Sequence, residues 1–436
     1  MYSLRINRKP IQSSFATPFV SCILGPRRVG KSTFVIHYSK QHPERVWVFL
    51  NMDEMVQRTR VRNQELEAMI IEDARQKIGG EHKLWVVIDE AQKCPELFDQ
   101  IKVLYDKYKD RDQIKFILTG SAILSLHKLS AESLAGRIEL HYLSEFTLRE
   151  SCHKQDFRVP LTSILDTIDS WTEEALHEIV RETSPFKALL EEQLEKHLLW
   201  SGLPEVLDCP TEMAKISYLN NYIQTYLEKD IRAVETITDL HLYRNLMDII
   251  AEQTGSVRED KKIAQALGCT SDTLKKYRGY LKATLFYQDL FPYIGRTLKR
   301  IVKSPKGYLL NNGVISVLTG LNQLLVLEKS GLIGHRLENW FLNELNTWLA
   351  RDPRRSNIHY WRLRSGPEVD FVVERKPNVY PFEVTCGTIP DRKKVRNLLK
   401  FMTAEPRASW GFYVYRGPYH VDTSNRIYYL PAWLIS

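Results

Sequence analysis

The 436 residues are more than one hydrophobic core usually organises, so the chain is expected to divide into about two to four domains. With 43% apolar and 26% charged residues, no run of about 20 apolar residues to span a membrane and no secretory h-region after Met1, the composition excludes membrane and secreted classes and places the protein in the cytoplasm. Six cysteines without a Cys-x-x-Cys pair and a net charge of +8 exclude a zinc ribbon and a disulfide framework, and leave the location of the positive excess as the informative quantity.

In chain order, Phe19 to Leu24 (F-V-S-C-I-L) is a short apolar, β-branched run that ends at Gly25, and a helical period begins at Lys31. Further strands are expected at Val46 to Asn51, Leu84 to Ile88 and Lys115 to Leu118, with helices at Arg62 to Lys77 and Leu97 to Lys109. Strands alternating with helices predict a parallel sheet covered on both faces, over residues 1–150. Between its first strand and first helix lies Gly25-Pro26-Arg27-Arg28-Val29-Gly30-Lys31-Ser32, followed by Thr33. This fits G-x-x-x-x-G-K-[S/T], and strand–loop–helix is the context the motif requires. The glycines let backbone N–H groups curl round phosphates, Lys31 reaches the β- and γ-phosphates, and Ser32 can ligate Mg²⁺. ATP and Mg²⁺ are therefore the expected ligands.

Leu84 to Ile88 runs into Asp89-Glu90. A carboxylate at such a strand end can enter the Mg²⁺ shell (Asp89), and its neighbour can act on an attacking water (Glu90), which favours hydrolysis over transfer to a small acceptor. Phe116-Ile117-Leu118 leads to Thr119-Gly120-Ser121, where the Thr119 hydroxyl is placed either to sense the γ-phosphate and orient water or simply to make a turn or cap.

The series G-P-R-R-V-G-K-S, I-D-E-A-Q-K-C-P-E-L, L-T-G-S-A, S-L-A-G-R and L-S-E-F-T-L-R-E, in that order, resembles prokaryotic AAA+ type P-loop ATPases that carry a C-terminal restriction-endonuclease-like domain. The resemblance spans nearly the whole chain. It implies that Arg137 acts as an arginine finger or sensor, in cis or from a neighbouring subunit of a homo-oligomer.

Residues 151–246 are mostly amphipathic helical patterns, expected as a helical lid or linker. Between Gly255 and Leu310, twelve Lys or Arg stand against four acids, so this segment carries an excess equal to that of the whole chain. Such a basic field points to a polyanion, DNA first. Ile263, Ala264 and Leu267 would line one helix, Gly268 would turn the chain, and Thr270-Ser271 would cap a second helix with Leu274, Tyr277 and Leu281 inward. Thr273, Lys275, Lys276 and Arg278 would then be exposed, and Phe286 to Tyr308, with Arg296, Lys299, Arg300, Lys303 and Lys306, resembles a winged hairpin. A winged-helix domain over 247–330 is expected to contact phosphate backbone through Lys275, Lys276 and Arg278, unless it serves packing or protein contacts alone.

Over 331–436, Glu338, Asp370 and Glu383 resemble the acids of the PD-(D/E)XK nuclease fold, in which such carboxylates hold Mg²⁺ for phosphodiester cleavage. Two residues beyond Glu383, where that family has lysine, stands Thr385, which supplies no positive charge. A replacement lysine is available from the next predicted helix as Lys393 or Lys394; otherwise the fold is degenerate and used for docking. Three functions remain open at this point: an ATPase coupling nucleotide state to a DNA-binding winged helix and a nuclease-like domain, a nucleotide-controlled regulatory or scaffold switch, and an ATP-gated, Mg²⁺-dependent DNA nuclease.

Overall fold

The computed structural model describes residues 4–75, 83–109, 113–121, 133–168, 173–229, 239–293, 304–352, 354, 356–363 and 366–436. Two compact units are present: one runs to Glu145 and takes in Ala283–Leu285, and the other comprises Phe146–Lys282 and Phe286–Ser436.

The first unit is built on β1 (Val20–Leu24), β2 (Val46–Asn51), β3 (Leu84–Asp89), β4 (Ile114–Gly120) and β5 (Ile138–Tyr142). They form one sheet in the order β2-β3-β4-β1-β5, every neighbouring pair parallel. Alternation of side chains across the pleat divides the core in two. Val48, Leu50, Val86, Ile88, Phe116 and Leu118 face the helices Leu66–Arg75 and Glu96–Tyr108. Ile23, Trp47, Trp85, Val87 and Ile117 face Phe15, Phe34, Val35 and Tyr38 of the helices Arg8–Phe15 and Lys31–Gln41. Burial on both faces explains why the central strands read as continuous apolar runs. This is the P-loop NTPase architecture.

Two elements differ from expectation. The helix expected over Arg62 to Lys77 is two helices, Met55–Asn63 and Leu66–Arg75; Gln64 is extended and the Leu66 N–H donates to Gln100 Oε1 at 2.7 Å, so a side chain takes the place of a helical carbonyl. Residues 76 and 77 lie outside the described residues. β5 was not expected because I-E-L-H-Y is an edge strand, partly exposed along its length, and lacks the apolar run of a buried strand.

The second unit opens with the helix Leu148–Lys154, followed by Glu173–Thr183, Lys187–Trp200, Pro204–Asp208, Glu212–Lys229 and Leu240–Glu252. Asp260–Ala266 and Ser271–Ala283 follow as a helix pair turned at Gly268, whose φ of +63° suits glycine. Next comes an antiparallel pair, β6 (Tyr287–Leu290) and β7 (Lys306–Leu309); Arg296, Lys299, Arg300 and Lys303 lie outside the described residues. The helix Ile333–Leu349 leads to a six-stranded sheet, β12-β13-β11-β10-β9-β8, of β8 (Asn357–Arg362), β9 (Glu368–Arg375), β10 (Asn378–Val384), β11 (Gly411–Tyr415), β12 (His420–Asp422) and β13 (Ile427–Pro431). One face receives Leu398, Phe401 and Met402 of the helix Arg392–Ala404; Phe341 of Ile333–Leu349 lies against Phe371 and Phe382. β8, β9 and β10 are antiparallel, and β10, β11 and β13 parallel.

Candidate functional site

At the C-terminal end of β1 the chain enters the Gly25–Ser32 loop. A Cβ at Gly25 would come within 2.1 Å of the Leu143 carbonyl oxygen, and Gly30 has a φ of +92°, so both motif glycines are required by close approach and left-handed backbone. The buried Lys31 folds back on the loop, its Nζ donating to the Gly25 and Pro26 carbonyls at 3.0 and 2.8 Å. Gly30 is the N-cap of the helix Lys31–Gln41, which therefore points its first-turn N–H groups and positive dipole end into the loop.

Parallel pairing places the ends of β3 and β4 beside this loop. Ser32 Oγ donates to Asp89 Oδ2 at 2.7 Å, and the Thr119 hydroxyl donates to Asp89 Oδ1. Each oxygen of Asp89 thus faces a hydroxyl and not a cationic side chain. Glu90 follows with φ of +53°, and its Oε2 accepts from Gln92 Nε2 at 2.6 Å and Ser121 Oγ at 3.1 Å. The structure brings Lys31, Ser32, Asp89, Glu90 and Thr119 together. Ser32 and Asp89 offer adjacent hard oxygen donors, the ligand chemistry of Mg²⁺, and the loop offers the N–H cradle of a polyphosphate.

Arg137 is elsewhere. It precedes Ile138, which pairs with Val20 at the start of β1, and its carbonyl accepts the Val20 N–H; the phosphate loop begins after Leu24. At about 3.3 Å per residue the two ends of β1 are roughly 13 Å apart, and the Arg137 guanidinium is held by both oxygens of Asp106 at 2.9 Å. The expectation of a sensor acting in cis is corrected: topology puts Arg137 at the opposite end of the sheet. Sequence reasoning missed Arg5, which is buried and donates to the Val29 carbonyl inside the loop and to Ser144 O at 3.1 Å, as well as Gln92. Only Gln92, two residues past Glu90, carried a positional signal.

In the second unit, Ile263, Ala264, Leu274, Tyr277 and Leu281 are buried as expected, and Lys275 and Lys276 are exposed. Arg278 is not: it is 1% exposed and paired with Asp260. It lies four residues after Leu274, on the same helical face, so the apolar stripe carries it inward. Arg258 is likewise held by Asp260 and Asp289, and Lys282 by Asp289.

Glu338, Asp370 and Glu383 do converge. Asp370 near the start of β9 and Glu383 near the end of β10 share one end of an antiparallel pair, and Glu338 reaches them from the helix Ile333–Leu349. The lysine absent at Thr385 comes from the helix Arg392–Ala404: Lys394 Nζ lies 2.9 Å from Glu383 Oε1, 3.3 Å from Asp370 Oδ2 and 2.9 Å from the Val384 carbonyl, whereas Lys393 is exposed. A second lysine was unforeseen. Lys306, expected on a DNA-facing wing, is 5% exposed, with Nζ 2.5 Å from Glu368 Oε1, 3.7 Å from Asp370 Oδ1 and 4.0 Å from Glu338 Oε2. Burial pushes Glu338 up to about 7, with Asp370 adding repulsion, and burial beside Asp370 holds Glu383 well above the usual carboxylate range. Burial raises Asp370 too, but Lys394 and Lys306 outweigh it and hold its carboxyl below the usual value. The residues present do not fit a divalent ion in this arrangement, because ammonium groups already hold the carboxylate oxygens. Among the described residues, no group of three or more His, Cys, Asp or Glu side chains is arranged to hold a metal ion.

Comparison with known proteins matches three regions of the chain. Residues 18–152 match a family described as AAA domain, residues 191–325 a domain of unknown function, DUF8612, and residues 333–435 another, DUF4143. The uncharacterized proteins Mb2031c of Mycobacterium bovis and Rv2008c of Mycobacterium tuberculosis are each 26% identical over 414 residues, which is 95% of this chain and 80% of theirs. Among solved structures, the ORC2 protein of Aeropyrum pernix in its ADP form is 12% identical with a TM-score of 0.35, covering 75% of this chain and 96% of that one. The RuvB Holliday junction branch migration motor of Thermotoga maritima is 17% identical with a TM-score of 0.28, covering 65% and 88%. Among the described residues, no helix is long and apolar enough to cross a membrane.

Proposed function

Because residues 18–152 carry an AAA-type ATPase fold, we propose that the chain binds ATP with Mg²⁺ at Gly25–Thr33 and hydrolyses it. Nucleotide state is then coupled to a DNA-binding winged helix and a nuclease-like C-terminal domain. The observation that carries this reading is the joining of Ser32, Asp89 and Thr119 by hydrogen bonds beside the phosphate loop, with Glu90 next in sequence. In it, Lys31 leaves the loop carbonyls for the β- and γ-phosphates, and Ser32 and Asp89 hold the cation. Glu90 orients the attacking water and takes its proton, and Thr119 fixes Asp89. When bound, Mg²⁺ neutralises charge on the phosphoryl oxygens. Phosphate release by purified protein tests the proposal: Lys31→Ala should bring turnover to background, and undiminished turnover in that variant would sink the assignment.

Support for DNA is local. The second helix of the pair exposes Lys275 and Lys276, and a homo-oligomer would allow Arg137 to act on a neighbouring subunit's nucleotide. Mass measurement with and without ATP tests the second point. A second reading, a nucleotide-controlled switch that binds no DNA, is favoured by one observation: Arg258, Arg278 and Lys306 spend their charge on internal acids. DNA affinity that falls steeply with salt and is lost on Lys275→Glu/Lys276→Glu supports the first reading; no binding at low salt supports the switch. The ammonium groups on Glu338, Asp370 and Glu383 count against an ATP-gated, Mg²⁺-dependent nuclease; Mg²⁺-dependent DNA cleavage that is absent in Asp370→Ala would restore that reading.

A further inference from the structure

Four acids on three elements meet in the C-terminal domain: Glu338 on the helix Ile333–Leu349, Glu368 and Asp370 on β9, and Glu383 on β10. Such a group is buried only with counter-charge or with some of its carboxyls protonated, the direction in which Glu338 and Glu383 are pushed. A divalent cation would provide the counter-charge, and so would protein ammonium groups. This chain uses the second solution, and the source of one ammonium is unusual: Lys306 belongs to β7, the strand of the β6–β7 hairpin, not to the sheet or helices that carry the acids.

Its backbone is fixed from both sides. Lys306 pairs with Leu290 of β6 and bridges to Val257, while the next residue, Gly307, donates to Ser256 O at 3.0 Å and accepts from the Gly255 N–H at 2.7 Å. The side chain thus enters the acids from a held strand. Tyr308 Oη donates to Glu338 Oε2 at 3.3 Å and steadies the acid with the longest of the three Lys306 contacts. On the other side Lys394 takes Asp370 Oδ2, so that Asp370 has a lysine on each oxygen. Among the described residues, Glu383 Oε2 is buried with no hydrogen-bond partner, and so is Nδ1 of His335, which faces the same lysines and acids.

We propose that Lys306 stands in place of a divalent cation: with β7 paired, its ammonium occupies the space between Glu338, Glu368 and Asp370, which take up no Mg²⁺ or Mn²⁺, and removing the ammonium turns them into a divalent-cation site. An ion on these oxygens needs contacts of about 2.0–2.6 Å, which sets it against the ammonium within the same few ångströms. The two exclude each other by space and like charge. The fold that suggests a metal-dependent site therefore carries a built-in substitute for the metal. This inference does not rest on ATP hydrolysis.

The test is Mn²⁺ binding to the full-length, nucleotide-free chain, read by electron paramagnetic resonance of free Mn²⁺. Wild type and Asp370→Asn are expected to bind alike, with no Asp370-dependent site up to millimolar Mn²⁺. Lys306→Met is expected to gain one Mn²⁺ per chain, at least about tenfold tighter than any wild-type binding, and to lose it in Lys306→Met/Asp370→Asn; Lys306→Arg, which keeps the charge, is expected to behave as wild type. An Asp370-dependent site in the wild type, or a folded Lys306→Met without a new one, overturns the proposal. If Lys306→Met does not fold, Lys306→Gln is read in the same way. If neither folds, the wild-type arm decides: an Asp370-dependent site overturns the proposal and its absence upholds it. Nucleotide is left out throughout, so failure of the ATPase reading and failure of this inference remain separate results.

Discussion

Acids gather at strand ends in both units, and the two groups are partnered in opposite ways. Beside the phosphate loop, Asp89 meets only the hydroxyls of Ser32 and Thr119, and Glu90 meets Gln92 and Ser121. Neutral partners satisfy hydrogen bonds and leave the negative charge in place, half-buried and open to a cation that arrives with its nucleotide. In the C-terminal domain, Glu338, Glu368, Asp370 and Glu383 meet Lys306 and Lys394. Ionic partners satisfy the charge itself. Acids at strand ends are thus poor predictors of a metal site until their partners are known, and a neutral partner is the more informative one.

The comparison breaks first, and with the largest effect, at Glu90. If its charge serves the water and not the fold, Glu90→Gln should lower turnover by about 10²–10⁴-fold while a fluorescent ATP analogue still binds. Equal loss of binding and turnover would assign Glu90 to structure. Next is the cost of burying acids without enough counter-charge, clearest at Glu344, which burial pushes up to about 8 and which accepts the Leu148 N–H at 3.0 Å. Its folded pKa lies above the usual 4.5, so the folded state holds a proton that the unfolded chain releases. Stability therefore falls as pH rises from about 4.5 towards 8, by at most about 1.4 kcal/mol per unit. Denaturant melts of Glu344→Gln against wild type should show a shallower pH slope and a relative gain at pH 8; an unchanged slope would clear Glu344 of any part in the pH dependence.

A smaller effect sharpens the contrast between exposed and internal charge in the helix pair. Should DNA bind, replacing Lys275 or Lys276 should reduce the salt slope by about 1 per phosphate contact, read by fluorescence anisotropy at several salt concentrations, with thermal stability unchanged. The smallest effect is at Arg137. Its bidentate pair with Asp106 is partly exposed and screened by solvent, so Arg137→Ala should leave the thermal stability almost unchanged. Turnover per chain should be unchanged in dilute monomer and fall only where subunits associate. Loss of turnover in the monomer would contradict its position at the far end of β1.

The phosphate loop was legible because its chemistry is contiguous: Gly25 to Ser32 carries its own backbone requirements, and flanking apolar runs place it between strand and helix. Asp89 and Glu90 were legible for the same reason. β5 was not, since an edge strand need not be apolar. Glu338 on its helix and Asp370 and Glu383 on their strands could be picked out by resemblance to the nuclease-fold motif, but their partners could not. Lys394 was one of two neighbouring lysines, distinguished only by helical phase, and Lys306 had been counted into a basic segment whose sum hid the direction of each charge. Arg278 was misplaced for a reason visible in the pattern itself, its four-residue spacing from Leu274. Charge counted along a chain overstates charge on its surface when acids elsewhere fold against it.

The most direct test of this contrast between the two acidic groups is the number of Mn²⁺ ions bound per wild-type chain, measured with and without a non-hydrolysable ATP analogue. One ion per chain is expected when the analogue is bound, lost in Ser32→Ala/Asp89→Asn, and none at the C-terminal cluster in either condition. An ion that binds without the analogue and disappears in Asp370→Asn would contradict the contrast.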